Sequence, residues 1–265
     1  MRNLKRTLSL ALASVMLVGM MSVGASAVNA SDFTDADEIV NKDAVSTMTA
    51  LGIINGKEDG SYFDPTGNVT RAEMAKMLCV AINGGVDPVL GVKDTPTFTD
   101  IKGTWAESYI EYCAANGIIA GRGNNKFDPT GTVSATEAAK MLLGVLGYNA
   151  EKSGLVGNDW AINTNVLANQ NGLYKNLSNL NANTLLTRDN AAQMIYNALD
   201  ANMVELNAAG NYTTSQYSYT GTESVVTGTE RVWVLTIKEN NCTDSGIKAA
   251  VDALSGSVYN SRSDA

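Results

Sequence analysis

The chain has no histidine among its 265 residues. This removes the side chain that most often serves as general base or metal ligand near neutral pH. Cysteine is scarce. Cys79, Cys113 and Cys242 are widely spaced and odd in number, which is not the pattern of a disulfide framework. Cys79 lies in the apolar periodicity of a helix and Cys113 precedes Ala-Ala-Asn-Gly at a helix end, so both read as small buried side chains. Positive charge is outnumbered, with 19 basic against 27 acidic residues and a net charge of −8. An acidic surface argues against nucleic acid or an anionic membrane as partner, but it leaves room for an anion held by a few local arginines. No apolar run reaches the ~20 residues that a membrane-spanning helix needs. No nucleophile elbow, phosphate loop, zinc motif or catalytic carboxylate pair stands out, so the sequence assigns no catalytic residue, no metal and no cofactor.

The N-terminus reads as a secretory leader covering residues 1–27. Arg2, Lys5 and Arg6 precede an apolar core from Leu8 to Met21, and Ala25-Ser26-Ala27 forms an A-x-A cleavage site, with Val28-Asn29-Ala30 as a second candidate. The expectation is an exported chain whose net charge is about −11 once these three basic residues are removed.

What the chain does have is repetition. Val69-Thr70-Arg71-Ala72-Glu73-Met74-Ala75-Lys76-Met77-Leu78 returns as Val133-Ser134-Ala135-Thr136-Glu137-Ala138-Ala139-Lys140-Met141-Leu142, and again as Leu186-Thr187-Arg188-Asp189-Asn190-Ala191-Ala192-Gln193-Met194-Ile195. Periods of this size mark a repeat architecture. Each unit opens on a first helix that ends at glycine (Gly52, Gly117, Gly172), where a left-handed residue closes a helix well. The first two units begin with Phe33-Thr34-Asp35 and Phe98-Thr99-Asp100, whose Asp or Thr is expected to cap the first helix. They continue through the loops Phe63-Asp64-Pro65-Thr66-Gly67 and Phe127-Asp128-Pro129-Thr130-Gly131. The second helix then carries an apolar stripe at i, i+3, i+4 and i+7: Met74, Met77, Leu78, Ala81, with matching sets from Ala138 and Ala191. One helical hairpin cannot bury such a stripe, whereas three can pack around a shared axis. After Val204 the texture changes. Residues 205–228 read as a linker, and residues 229–265 read as a small module or stub. In that module Arg231 to Lys238 has strand composition and Ser245 to Leu254 could form a short helix.

Thr70-x-x-Glu73 and Ser134-x-x-Glu137 read as capping boxes, which accounts for the hydroxyls and carboxylates. Arg71 and Arg188 are harder to explain. Each stands at the first helical position, where free N–H groups and the helix dipole already supply positive character. A guanidinium beside free amides makes a receptor for a carboxylate or phosphate, though a solvated or Asp-paired arginine fits the same position. Trp105 and Trp160 occupy matching places near the start of a first helix and read either as core anchors or as platforms for a sugar ring. Asn55-x-Lys57-x-Asp59-Gly60 resembles a calcium loop, but Lys57 and Thr66 stand where ligating residues should be.

Together these marks resemble S-layer homology domains, whose pattern is F-x-D, an aromatic in the first helix, G-I-x-x-G, a loop ending F-x-P, and a T-R-A-E helix start. Phe33 to Val86 (33–86) matches nearly throughout. Residues 98–148 match but read Ser134-Ala135-Thr136-Glu137 at the helix start. Residues 155–204 keep Trp160, Gly172, Thr187 and Arg188 but lack the F-x-D and F-x-P marks. The resemblance implies a mainly α fold, a pseudo-threefold bundle of helical hairpins with some β in the C-terminal segment. It also implies noncovalent anchoring to pyruvylated secondary cell-wall polysaccharide, at the cell wall or in a surface layer, with self-association there. It maps glycan binding onto Arg71 and Arg188 with their caps Thr70 and Thr187, and onto Trp105 and Trp160. Ala135 departs from the pattern at the second motif's site. Members of the family also anchor exported hydrolases, so a minimal or missing catalytic part is the alternative reading.

Overall fold

A computed structural model describes residues 28–177, 180–181, 183–214, 217–225 and 231–239. The expected leader and the expected helix at 245–254 lie outside the described residues. Among the described residues there are six α-helices: α1 (Lys42–Ala50), α2 (Arg71–Ile82), α3 (Glu107–Ala115), α4 (Ala135–Val145), α5 (Trp160–Gln170) and α6 (Arg188–Asp200). They fall into three repeats, each a first and a second helix, and the chain is mainly α as expected.

The helix ends are set locally. α1, α3 and α5 each stop at a glycine in the left-handed region, with φ of 68° at Gly52 and 71° at Gly117 and Gly172. The next amide turns back three times alike: Ile53 donates to the Met48 carbonyl, Ile118 to Cys113 and Leu173 to Ala168. α2 and α4 start with full capping boxes on Thr70/Glu73 and Ser134/Glu137, and α6 starts with Thr187 accepting from the Asn190 amide.

The repeats close on one another through a ring. Val69 N–H donates to the Leu186 carbonyl (2.9 Å), Leu186 to Val133 (2.8 Å) and Val133 to Val69 (3.0 Å). All three residues are fully buried. The ring accounts for one donor and one acceptor from each repeat at the axis, where water cannot serve. Below it α2 packs on α4 and α4 on α6, burying Met74, Leu78, Ala138, Leu142, Ala191 and Met194. Each such side chain contributes roughly 1.5–3 kcal/mol, or less for the alanines. The last member of each stripe, Ala81, Val145 or Ala198, is half-buried beside an apolar cavity at the helix C-termini.

The close partners of the first helices come from the neighbouring repeat. α2 packs on α3, α4 on α5, and α6 on α1. The architecture is therefore three inter-repeat seams, α2/α3, α4/α5 and α6/α1, and the outer side of each is a candidate groove.

The F-x-D openers do something other than cap. Both carboxylate oxygens of Asp35 accept amides 28 and 29 residues on, Phe63 (2.9 Å) and Asp64 (2.7 Å), and Asp100 holds Phe127 and Asp128 in the same way at 2.8 Å each. The loops contain Asp64 and Asp128 at φ of 60° and 62°, and this clamp pins them. Phe33 packs on Phe63 and Phe98 on Phe127, with ring centroids 5.3 and 5.5 Å apart.

Beyond α6 the stretch expected as a linker carries strands. β1 (Val204–Leu206) pairs antiparallel with β2 (Tyr212–Thr214), and β3 (Tyr217–Val225) pairs with β4 (Arg231–Glu239), the segment expected to be a strand. Its Tyr and Thr content favours extended backbone, which outweighs its polarity.

Candidate functional site in the inter-repeat grooves

The two arginines are buried, with relative exposures of 3% for Arg71 and 5% for Arg188. Each leaves its own repeat. Arg71 donates from Nε to the Phe127 carbonyl (2.8 Å) and from Nη2 to the Ala120 carbonyl (2.7 Å) in repeat two. Arg188 repeats this on repeat one, with Nε to Phe63 and Nη2 to Asn55 at 2.7 Å each. The guanidinium carbons lie 4.3 Å from the Phe127 ring centroid and 5.0 Å from that of Phe63.

The helix N-termini are not open to an anion as the sequence suggested. The amides of Arg71 and Ala72 donate to Gly131 and Pro129, and those of Arg188 and Asp189 donate to Gly67 and Pro65. The F-D-P-T-G loop of one repeat thus closes the helix start of another, so the arginine has a folding role that its position in the sequence does not reveal. The same contact explains the missing arginine. Ala135 faces repeat three, its amide bonding to Thr184, and repeat three has no F-D-P-T-G loop to receive a guanidinium. The carbonyl of Lys175, which corresponds to Ala120 and Asn55, accepts instead from Asn197 (2.8 Å). Across this seam Thr136 donates to Asn165 (3.2 Å), which also accepts from Tyr174 (2.5 Å).

Because each arginine crosses a seam, it joins a groove that its own helix does not line. Arg71 reaches the first turn of α4, with Nη1 3.6 Å from Glu137. Burial pushes its pKa down to about 10, so it remains a cation at neutral pH. One turn further along α4, Lys140 lies with its Nζ 5.2 Å from the Trp160 ring centroid. Its pKa is lowered by burial and then by the charge of Arg71. Arg122 completes this cluster, bonding Glu137 (2.7 Å) and Asp128 (2.7 Å). The α4/α5 groove therefore gathers Arg71 from repeat one, Arg122 and Lys140 from repeat two, and Trp160 from repeat three.

The α2/α3 groove is its counterpart. Arg188 lies where the charges of Glu73, Asp64 and Asp35 act on it, and burial is the main influence that lowers its pKa. Lys76, one turn beyond Glu73, has its Nζ 5.5 Å from the Tyr109 ring centroid and 2.9 Å from Asp87. Tyr109 donates to Asp87 (2.7 Å), and its ring lies 6.3 Å from that of Trp105. Burial, and then Asp87, push the Tyr109 pKa up to about 12. Trp105 is 60% exposed and half-buried Trp160 lies beneath a lysine, so neither is a core anchor.

The α6/α1 groove has none of these residues. Val40, 82% exposed, stands where Trp105 and Trp160 stand in their repeats, and Gln193 replaces Lys76 and Lys140 and donates within its own helix to Asn197. Ala135, from the remaining repeat, supplies no arginine. Instead Asp189 accepts from the Asn41 amide (3.0 Å) and side chain (2.5 Å), and burial raises its pKa. Three departures scattered over three repeats meet in one groove.

Thr70 and Thr187 serve as caps at the floor of the seams. Sequence reasoning missed Lys76, Lys140 and Tyr109. The signal for the lysines was present, since both stand six residues after the cap.

The S-layer homology domain family model matches residues 32–75 and 97–139. The chain contains S-layer homology domains. Relatives include an S-layer protein of Bacillus licheniformis, 32% identical over 42% of this chain and 12% of that protein. A cell surface protein of Thermoanaerobacter kivui is 28% identical over 77% of this chain and 26% of its own length. An exoglucanase, XynX, of Acetivibrio thermocellus is 29% identical over 55% and 14%. The chain thus spans about an eighth to a quarter of these relatives. The two matched S-layer homology domains supply both clamped loops and therefore both arginine receptors. No helix among the described residues is long and apolar enough to cross a membrane.

Proposed function

We propose that this protein is held noncovalently at the cell surface by its repeats, which bind secondary cell-wall polysaccharide in the α2/α3 and α4/α5 grooves, and that residues 155–204 form a third, divergent S-layer homology repeat. The observation that carries this reading is the gathering of an arginine, a lysine and a tryptophan from separate repeats at each of two grooves. A sugar ring stacks on the indole, and the cations suit an anionic substituent such as the carboxylate of a pyruvate ketal. Arg71 and Arg188 act here as buried charges that also hold the groove walls, and Thr70 and Thr187 fix the helix starts beneath them. S-layer and cell-surface relatives support a surface location and a structural role, with self-association in a surface layer as a further partnership.

The test is pull-down of residues 28–206 with purified wall polysaccharide before and after chemical removal of pyruvate. Strong binding that falls after removal is expected; equal binding to both would sink the pyruvylated ligand, and no binding to either would sink the anchor.

The matches to an exoglucanase and to an endo-xylanase favour a second reading in which the same anchor serves an exported hydrolase. Release of reducing sugar from xylan or cellulose by the natural full-length protein would support that reading.

A further inference from the structure

We propose that Cys79 and Cys113 close a disulfide across the seam between repeats one and two, locking the α2/α3 groove. Cys79 is on α2 and Cys113 is the residue of α3 whose carbonyl closes the helix end, and their Sγ atoms are 3.4 Å apart. Both side chains are buried, at 1% and 0% exposure. Each thiol also faces the opposite helix, Cys79 towards the Tyr109 carbonyl (3.6 Å) and Cys113 towards that of Ala75 (3.7 Å). A sulfur–sulfur bond is about 2.05 Å long, so closure needs an approach of roughly 1.4 Å, within reach of side-chain rotation.

The corresponding positions in the other seams are Leu143 with Ala168 and Tyr196 with Met48, which have no such chemistry. No sequence pattern hints at the pair, because 34 residues separate two cysteines that are each equally at home in a core.

The reaction is a two-electron oxidation. A disulfide oxidant, of which glutathione disulfide is the simplest, is attacked by one cysteine thiolate and releases one thiol. The second cysteine then attacks the mixed disulfide and releases the other. Both Sγ protons are lost and both electrons pass to the oxidant. In the folded, reduced protein the Cys113 thiol is held protonated by its bond to Cys79 and by burial, and no oxidant reaches it. The bond therefore forms while the repeats dock.

An oxidising environment outside the membrane rests on the surface location proposed above, so the experiment separates the two. The full chain without its leader is denatured, reduced and refolded in a glutathione redox buffer. It is then denatured again and alkylated without reduction, and its peptides are mapped by mass spectrometry. The expected result is a linked Cys79–Cys113 peptide, alkylation at Cys242 alone, and a melting temperature at least about 5 °C higher than that of the reduced sample. The Cys79→Ala/Cys113→Ala variant should lose the dependence of melting on reductant, while Cys242→Ser should keep it. Alkylation of all three cysteines after oxidative refolding overturns the cross-link, as does a linked peptide that contains Cys242. Polysaccharide pull-down of the same samples reports on the anchor independently.

Discussion

Two grooves of this bundle carry cations and an indole, and the third does not. The α4/α5 groove holds Arg71, Lys140 and Trp160, and the α2/α3 groove holds Arg188, Lys76 and Trp105. The α6/α1 groove has Ala135, Gln193 and Val40 at the same positions. The unit of the proposed site is therefore the seam, to which all three repeats contribute. Comparing repeats one by one places the defect in repeat two, because Ala135 is there. The structure moves the defect to the seam between repeats three and one. Repeat two, missing its own arginine, borders two fully furnished grooves.

The sharpest way to break this contrast is to force an arginine where its receptor is missing. Ala135→Arg would bury a cation against repeat three, whose loop lacks the F-D-P-T-G turn. It should cost at least about 3 kcal/mol, read as a large drop in melting temperature or as failure to fold. Arg71→Ala is its mirror image. It strips the Phe127 and Ala120 carbonyls of their donors and should cost about 2–4 kcal/mol, with binding lost in proportion. Arg71→Lys should not rescue it, because one ammonium does not reproduce the fork that reaches two carbonyls.

Substitutions on the groove walls separate binding from the folding role of the arginines. Trp105→Ala with Lys76→Ala, or Trp160→Ala with Lys140→Ala, should each weaken polysaccharide binding roughly tenfold, equivalent to about 1.4 kcal/mol, with melting little changed. Val40→Ala with Gln193→Ala should leave binding as it was, while loss of the buried Gln193–Asn197 bond lowers the melting temperature. Isothermal titration on all three double variants makes the comparison, and a loss from the third as large as from the others would refute the two-groove assignment.

The smallest expected effect is electrostatic. Burial alone would raise the Glu137 pKa, but the Ser134 amide, Arg122 and Arg71 together hold it below the ordinary 4.5. A carboxylate with a depressed folded-state pKa contributes stability that is complete above its unfolded value and is lost as pH falls through the folded one. Asp189 in the bare groove has a raised pKa and the opposite sign. Its contribution is present below 3.8 and lost as pH rises through the raised value. Glu137→Gln keeps the cap and removes the charge, so its melting temperature should fall less steeply than the wild type's between about pH 4.5 and 3. Asp189→Asn should make that fall steeper.

Much of the fold was legible in the sequence because its determinants are local. Thr70 and Ser134 cap with a partner three residues on, and Gly52, Gly117 and Gly172 end helices through their own backbone. The stripes from Met74, Ala138 and Ala191 needed only helical periodicity. The folding roles of Asp35, Asp100, Arg71 and Arg188 were not legible for the opposite reason. Their partners lie 27 to 133 residues away, and nothing in a local pattern distinguishes an aspartate that caps from one that clamps. Which residues share a groove was not legible because each groove draws from three repeats, and Lys76 was overlooked although Lys140 repeats its position.

The ring of Val69, Leu186 and Val133 has a topological consequence. A closed cycle of three donors and three acceptors has no first member, so covalent order is incidental to it. A gene rearranged to start at residue 98 and finish with residues 33–86 should close the same cycle and melt in a single transition. A two-repeat fragment would leave one donor and one acceptor facing apolar surroundings, and should not melt cooperatively.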